Sequence, residues 1–282
     1  MNLLVTGGSG YLGHGLVEHL LKGEEEHRIC IYSRDEAKHA AMRAKFNDDQ
    51  RLRFFIGDVR DVDRLTVAMR GVEYVIHAAA LKRVDALEYN VIEGVATNIL
   101  GSQHVVTAAI ASGVRRAVLV STDKACEPTT VYGRTKAIAE DIFRTAHAYA
   151  GNTGTTFRVV RYGNVAGSTG SVIPTWRAAK AAGKPYELRN PEATRFWMTR
   201  AQAVEFVFGA LYADLYADSG PFVPTLPAYR LGDLAAAMDM PAPRHTQLVD
   251  GEKLHESMLP GEPSNLAPRL HIDELRRELK RV

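Results

Sequence analysis

Cysteine is scarce in this chain, with only Cys30 and Cys126 among 282 residues. Two thiols are too few for a disulfide framework and point to a reduced, cytoplasmic protein. No apolar run reaches the roughly 18 residues that a membrane span needs, so no membrane is expected as a partner. A strand-like run begins at residue 2, which argues against a signal peptide. An excess of one charge is also missing: 35 Lys and Arg stand against 33 Asp and Glu, a net +2 that gives no reason to expect nucleic acid. Internal repeats and low-complexity tracts are absent, and no metal site is expected. What remains is an ordinary globular composition, 46% apolar and 24% charged, with length for one large domain or two fused ones.

Strand-like and helix-like runs alternate over the first 160 residues. Strands are predicted at 2–6, 28–32, 53–57, 74–77, 117–121 and 156–161. Helical runs fall at about 10–22, 86–111 and 132–149. Such alternation predicts an α/β fold, a Rossmann-like doubly wound parallel sheet. The acidic triplet 24–26 reads as a solvated helix end. After Asn164 the rhythm breaks: a loop at 167–170, a helix at 172–182, an irregular stretch at 185–197 and three prolines within 221–227. The tail offers a strand at 244–249 and an amphipathic helix at 273–280. We therefore expect a dinucleotide-binding domain over 1–166, rejoined by a helix at about 200–217, and a smaller C-terminal substrate-binding lobe from 167–199 and 218–282. A cleft between them would hold ligands.

The stretch TGGSGYLG, from Thr6 to Gly13, joins the first strand to the first helix. Glycines there let backbone N–H groups approach a pyrophosphate at a helix N-terminus. This predicts cofactor contacts from Gly7, Ser9, Gly10, Tyr11, Leu12 and Gly13. The second strand ends in Ser33-Arg34, where an acid would bind a ribose hydroxyl. A hydroxyl and a guanidinium suit a ribose phosphate instead, so NADP is expected over NAD, although Asp35 next door weakens the positive field. Asp58 and Val59 close the third strand, where an aspartate could meet adenine. Ala78, Ala79 and Ala80 let the fourth strand end lie against the cofactor, and His77 before them reads as a packed histidine.

The fifth strand leads into STDKACEPTTVYGRTK. Tyr132 and Lys136 are four residues apart and share a helix face. An ammonium near a phenol lowers its pKa from about 10, so the phenol can take a proton from an alcohol as hydride leaves the same carbon.

TGGSGYLG, HAAA and YGRTK resemble the extended short-chain dehydrogenase/reductases. LKRVDALEYN, STDKACEP, RYGNVAGSTGSVIP, TRFWMT and GEKLHE resemble the polysaccharide-biosynthesis branch that includes UDP-N-acetylglucosamine 4,6-dehydratases. The likeness runs from Leu3 to about Glu256 and is weaker after about Pro260. It implies a lyase on a nucleotide sugar, with Tyr132 as base toward the 4-hydroxyl, Lys136 lowering its pKa and holding the nicotinamide ribose, and Thr122 bonding that hydroxyl. Lys124 would be the base at carbon 5 and Asp123 the acid for the 6-hydroxyl. Water leaves, hydride returns to carbon 6, and the cofactor stays bound. For this role Lys124 must be neutral, and burial beside oxidised nicotinamide and Lys136 is expected to depress its pKa against the pull of Asp123.

For the substrate, the resemblance implies contacts from Asn164, Ser171, Val172, Arg195 and Glu252, with Lys82 near the mouth. Arg195 would neutralise the diphosphate. Cys126 is expected beside the site, where reagents could reach it. The long helices suggest a homo-oligomer. Two rivals stand: an epimerase, which needs Thr122, Tyr132 and Lys136 but no Asp-Lys pair, and a non-catalytic NADP-sensing protein.

Overall fold

The computed structural model describes residues 1–23, 26–213, 220–241, 243–248 and 250–282. The main sheet is six parallel strands: β1 (Asn2–Thr6), β2 (Arg28–Ser33), β3 (Leu52–Ile56), β4 (Tyr74–His77), β5 (Arg116–Thr122) and β6 (Thr156–Tyr162). Each lies within a residue of its predicted position. Their order is β3-β2-β1-β4-β5-β6, the Rossmann-type arrangement expected from the alternating runs. The order reverses at β1, between β2 and β4, and strand carboxyl ends open a crevice at such a point. Side chains alternate across the sheet. Leu3 and Val5 join one core with Ile29 and Ile31, while Leu4 joins the other with Cys30, Tyr32 and Phe143. Burial on both faces is why these strands read as continuous apolar runs.

The helices that cover the faces are α1 (Tyr11–Leu21), α2 (Glu36–Lys45), α3 (Val62–Ala68), α4 (Val84–Tyr89), α5 (Val91–Gly94), α6 (Gly101–Ala111), α7 (Val131–Thr145) and α8 (His147–Ala150). The expected helix over 86–111 is therefore interrupted. Asn90 leaves helical backbone at φ −114, ψ 56, and a π-helical turn spans Val95–Leu100. Within that turn the buried Asn98 side chain binds both backbone groups of Leu81, at 2.8 and 2.9 Å, and donates to Thr135 Oγ1 at 3.0 Å. Tying the end of the β4 strand to α7 in this way competes with regular helix, and π turns of this kind gather at functional sites.

The remaining elements are α9 (Val172–Ala181), β7 (Glu187–Leu188), β8 (Thr194–Phe196), α10 (Arg200–Tyr212), β9 (Ala228–Arg230), α11 (Leu231–Ala237), β10 (Arg244–His245) and α12 (Ile272–Leu279). The stretch 185–197, expected to be irregular, thus holds two short strands. β8 pairs antiparallel with β9, and β7 parallel with β10. Trp176, Tyr186, Trp197, Tyr229, Leu234 and Leu275 form a separate core there. α10 begins at a capping box of Thr199 with Gln202 and packs Val204, Val207, Phe208 and Leu211 into the core of Leu3 and Val5. Residues 214–217 of the helix expected at 200–217 lie outside the described residues, as do Glu24 and Glu25 of the acidic triplet and Val249 of the expected strand. No helix among the described residues is long and apolar enough to cross a membrane.

Candidate active site

The glycine turn is a cradle by geometry. Gly7 has φ +67, and a Cβ there would lie 2.9 Å from the Ala79 backbone nitrogen. Its N–H donates to the Tyr32 carbonyl at 2.8 Å, and Gly10 N–H to the Gly7 carbonyl at 2.9 Å. Gly13 lets α1 rest on the turn, since a Cβ would fall 2.0 Å from Gly8 O. The first turn of α1, around Tyr11, Leu12 and Gly13, holds no acidic residue. Its free N–H groups and positive dipole end suit an anionic pyrophosphate. Beside it, Thr6 Oγ1 accepts from Ala79 N–H at 3.3 Å and bonds His77 Nδ1 at 2.7 Å. His77 is buried, bonds Ser102 Oγ at 3.1 Å as well, and stacks on Phe143, the packed histidine expected. Ala78 and Ala80 flank Ala79 and are half-buried along the same edge. The Tyr11 phenol donates to the Ala166 carbonyl at 2.9 Å.

At the end of β2, Ser33 Oγ bonds Ser9 Oγ at 2.8 Å and His39 Nε2 at 2.6 Å. Arg34 lies 3.2 Å from Asp58, and Arg60 lies 2.8 Å from the same carboxylate. Burial works against the Asp58 charge, yet the bonds from Arg60 and the field of Arg34 hold its pKa below the usual range. Asp35 turns away: it caps α2 and pairs with Lys38 at 3.1 Å. Val59 is buried, its carbonyl 3.2 Å from His104 Nδ1.

The candidate reactive residues converge where β5 ends. Thr122 caps a 3₁₀ turn, Asp123–Ala125, and its hydroxyl donates to Asp123 Oδ1 at 2.9 Å. α7 starts at Thr130, whose hydroxyl accepts from Gly133 N–H at 3.1 Å. Gly133 sets how closely α7 meets the turn, because a Cβ would stand 2.3 Å from Lys124 O. Tyr132 is thereby held against Thr122, which hydrogen-bonds its phenol. Where a lowered pKa was expected, burial instead pushes that phenol up to about 12; Lys124 pulls it down, Asp123 adds to the rise, and the Thr122 bond lowers it. The cation acting on Tyr132 is thus Lys124, whereas Lys136 was expected in that part. Lys136 donates to the Val120 carbonyl at 2.8 Å, and burial pushes its ammonium down to about 8 against the pull of Glu140.

A second expectation is corrected at Lys124. Burial disfavours its charge, but Asp123 at 3.2 Å and Glu256 at 3.0 Å outweigh that and raise its pKa. Lys124 thus stands between two carboxylates whose fields favour its charged form, where a depressed pKa was expected. Asp123 is fully buried, and burial raises its pKa against Lys124, with Glu256 reinforcing the rise. Glu256 is 2% exposed; burial raises its pKa, but Lys124 and then Arg195 lower it on balance. GEKLHE attracted notice for Glu252, yet its last residue is the one that enters the site. No periodicity marks Glu256, and only its place in that motif could have drawn attention to it.

Substrate candidates fall in two groups. Arg195 and Asn164 join the reactive cluster: both act on the buried Tyr229 phenol, Asn164 by a side-chain hydrogen bond. The Arg195 guanidinium is held by Glu252 at 3.1 Å and by the carbonyls of Thr194 and Leu254 at 2.8 and 3.1 Å. Glu252 also takes Arg189 at 2.7 Å, a cation the motif reading missed. Ser171 and Val172 open α9; the Ser171 hydroxyl is buried with no hydrogen-bond partner. Lys82 follows β4 on the surface, yet enough of the protein surrounds its ammonium to lower its pKa. Lys253 donates to the Cys126 carbonyl at 2.6 Å, and Thr129 Oγ1 to Gly251 O at 2.6 Å, which pins GEKLHE to the loop after the 3₁₀ turn. Cys126 beneath it is 3% exposed and burial pushes its thiol up. The accessible thiol expected there is instead a buried one, because the chain folds back over it.

Sheet order, glycine cradle and Tyr-x-x-x-Lys helix define a Rossmann-type protein with a buried cluster of titratable side chains at the carboxyl end of β5. The sequence model of the polysaccharide biosynthesis protein family matches residues 3–271, and the chain belongs to that family. It is 42% identical over 270 residues to an inverting UDP-N-acetylglucosamine 4,6-dehydratase of Campylobacter jejuni, covering 94% of this chain and 79% of that one. It is 37% identical over 269 residues to a UDP-glucose 4-epimerase of Rickettsia akari, covering 92% and 78%. Among solved structures, Pen from Bacillus thuringiensis superposes with a TM-score of 0.90 at 31% identity, covering 100% of this chain and 98% of that one. The dTDP-glucose 4,6-dehydratase DesIV of Streptomyces venezuelae, with NAD and TYD bound, superposes with a TM-score of 0.82 at 25% identity, covering 99% and 96%.

Proposed function

We propose that the protein is a nucleotide-sugar 4,6-dehydratase acting on UDP-N-acetylglucosamine with a tightly held nicotinamide dinucleotide, NADP in preference to NAD. The observation that carries this reading is the Asp123–Lys124 pair beside Tyr132 at the end of β5. The Campylobacter relative supports it. When bound, the dinucleotide supplies an acceptor and later a donor of hydride. Gly7, Ser9, Gly10, Tyr11, Leu12 and Gly13 would hold its pyrophosphate, Asp58, Val59 and the alanines its adenosine side, and Tyr132 with Lys136 its nicotinamide ribose. Arg34, with Arg60 as a second cation, favours a ribose phosphate.

Tyr132 takes the proton of the sugar's 4-hydroxyl while Thr122 orients that hydroxyl. Asp123, raised by burial, gives a proton to the leaving 6-hydroxyl. Lys124 takes the proton from carbon 5. Asn164, Ser171, Val172 and Arg195 bind the nucleotide diphosphate, with Arg195 and Arg189 as its cations once Glu252 turns from them to the nucleoside. Lys82 closes the mouth. Ile92, Leu100 and Ile138 are exposed on the segment 91–100 and on α7, which favours a homo-oligomer built on that face.

The Rickettsia relative favours an epimerase as second reading. Mass spectrometry after incubation with UDP-N-acetylglucosamine and a panel of nucleotide sugars separates the two. A product lighter by one water is expected, and Tyr132→Phe should abolish it. An isomer of unchanged mass would establish the epimerase instead. The dinucleotide released on denaturing the purified protein identifies NADP or NAD directly.

A further inference from the structure

The proposed reaction leaves one proton without a place. Lys124 must be neutral to take a proton from carbon, yet it is flanked by carboxylates at 3.2 and 3.0 Å. Asp123, Glu256 and Lys124 together carry one net negative charge, because the neighbouring Arg195 is itself paired with Glu252 at 3.1 Å. Asp123 Oδ2 and Glu256 Oε2 are both buried with no hydrogen-bond partner. Unpaired oxygens of this kind are costly when charged, and protonating one carboxyl relieves the excess.

Resting on the dehydratase reading, we infer that Glu256 is the proton acceptor that turns Lys124 into a base, acting as a positioning residue through the Lys124–Glu256 hydrogen bond. With Asp123 carrying its own proton, one proton shifts from Lys124 Nζ to Glu256 Oε1 along their 3.0 Å contact. The ion pair becomes a neutral amine and a neutral carboxylic acid, and the total charge does not change. A buried site tolerates such a neutral pair, because neither partner then needs solvation as an ion. The amine next takes the proton from carbon 5 while Asp123 protonates the 6-hydroxyl, which departs as water. The Lys124 ammonium, exchanging with solvent, later returns a proton to carbon 5, and the proton that Tyr132 took from the 4-hydroxyl restores Asp123, so each turnover balances.

Glu256 is placed for this by the backbone. Its N–H donates to Ser264 Oγ at 3.1 Å and its carbonyl accepts from Ser264 N–H at 2.7 Å. Two residues on, the Met258 carbonyl accepts from Arg161 at 2.6 Å, and Arg161 is bound to Glu140 of α7. The carboxylate is therefore braced against the helix that carries Tyr132. Other charged or titratable groups facing the cluster are Arg195 and Lys253 beside Glu256, Arg161 near Asp123, and Tyr132 and Tyr229. Arg195 opposes the transfer by favouring ionised Glu256. A substrate diphosphate against Arg195 would cancel that field, so binding would arm the base.

The test is deuterium exchange at carbon 5 in heavy water, read on the complete protein with its own dinucleotide and UDP-N-acetylglucosamine. In Glu256→Gln, exchange should fall about 100-fold or more, the scale of a lost proton-transfer group, while substrate-dependent reduction of the dinucleotide persists. Competitive acetic-anhydride labelling read by mass spectrometry should show Lys124 reacting at lower pH than in the unaltered protein. Glu256→Asp should recover part of the exchange with a displaced pH profile. Exchange within threefold of normal in Glu256→Gln, or an unmoved Lys124 labelling profile, overturns the inference. If Glu256→Gln does not fold, Glu256→Asp decides alone: both an unchanged rate and an unchanged pH profile refute the role. Failure of the unaltered protein to release water from any nucleotide sugar refutes the dehydratase reading instead.

Discussion

Replacing Gly133 with alanine sets two effects of opposite sign against each other. Helix propensity alone favours alanine by about 0.8–1 kcal/mol. The added Cβ, however, would lie 2.3 Å from Lys124 O and 3.1 Å from Pro128 Cβ. The first neighbour is backbone and cannot rotate aside, so α7 and the 3₁₀ turn must separate by on the order of 1 Å. Overpacking of this kind costs about 1–3 kcal/mol, which exceeds the propensity gain. We expect Gly133→Ala to be less stable on balance by up to about 2 kcal/mol, a Tm lower by several degrees. The effect on rate should be larger, because a shift of about 1 Å in a catalytic group costs roughly 100-fold. Thermal unfolding by circular dichroism and the initial rate of water loss by mass spectrometry read the two separately. A variant with raised Tm and unchanged rate would show that this contact does not set the site.

Two further outcomes follow from buried charges. Burial pushes His77 down to about 3 and Lys136 acts in the same direction, so the native ring is neutral while the unfolded ring takes a proton below about 6.5. Its contribution is complete above that pH and is lost as pH falls toward 3, by about 1.4 kcal/mol per unit; His77→Gln should flatten the acid limb of stability measured in urea between pH 6 and 4. Glu140 accepts from Arg161 at 3.0 and 2.5 Å and from Ser121 at 2.5 Å. Glu140→Gln strands the guanidinium and should cost about 3–5 kcal/mol in denaturant unfolding, with recovery in the double variant Glu140→Gln/Arg161→Met.

Much of the architecture was legible in local pattern. β1 to β6 announced themselves as apolar runs because both faces of a parallel strand are buried. Tyr132 and Lys136 were readable because four residues bring two side chains to one helix face. Gly7 and Gly13 were readable because a strand-to-helix turn that meets a neighbouring strand leaves no room for Cβ. The interruption of α4 to α6 was not, since the Asn98 bonds to Leu81 and Thr135 join segments 17 and 37 residues away.

The fold type, the glycine cradle and the neighbourhood of Thr122, Asp123, Lys124 and Tyr132 could be read along the chain, since each rests on spacings within one turn or strand. The field at Lys124, the burial of Cys126, the pairing of Arg195 with Glu252 and the entry of Glu256 emerge only on folding. Electrostatic fields and desolvation depend on distance through space, and the groups that set them come from β5, α7 and a C-terminal segment more than a hundred residues away along the chain.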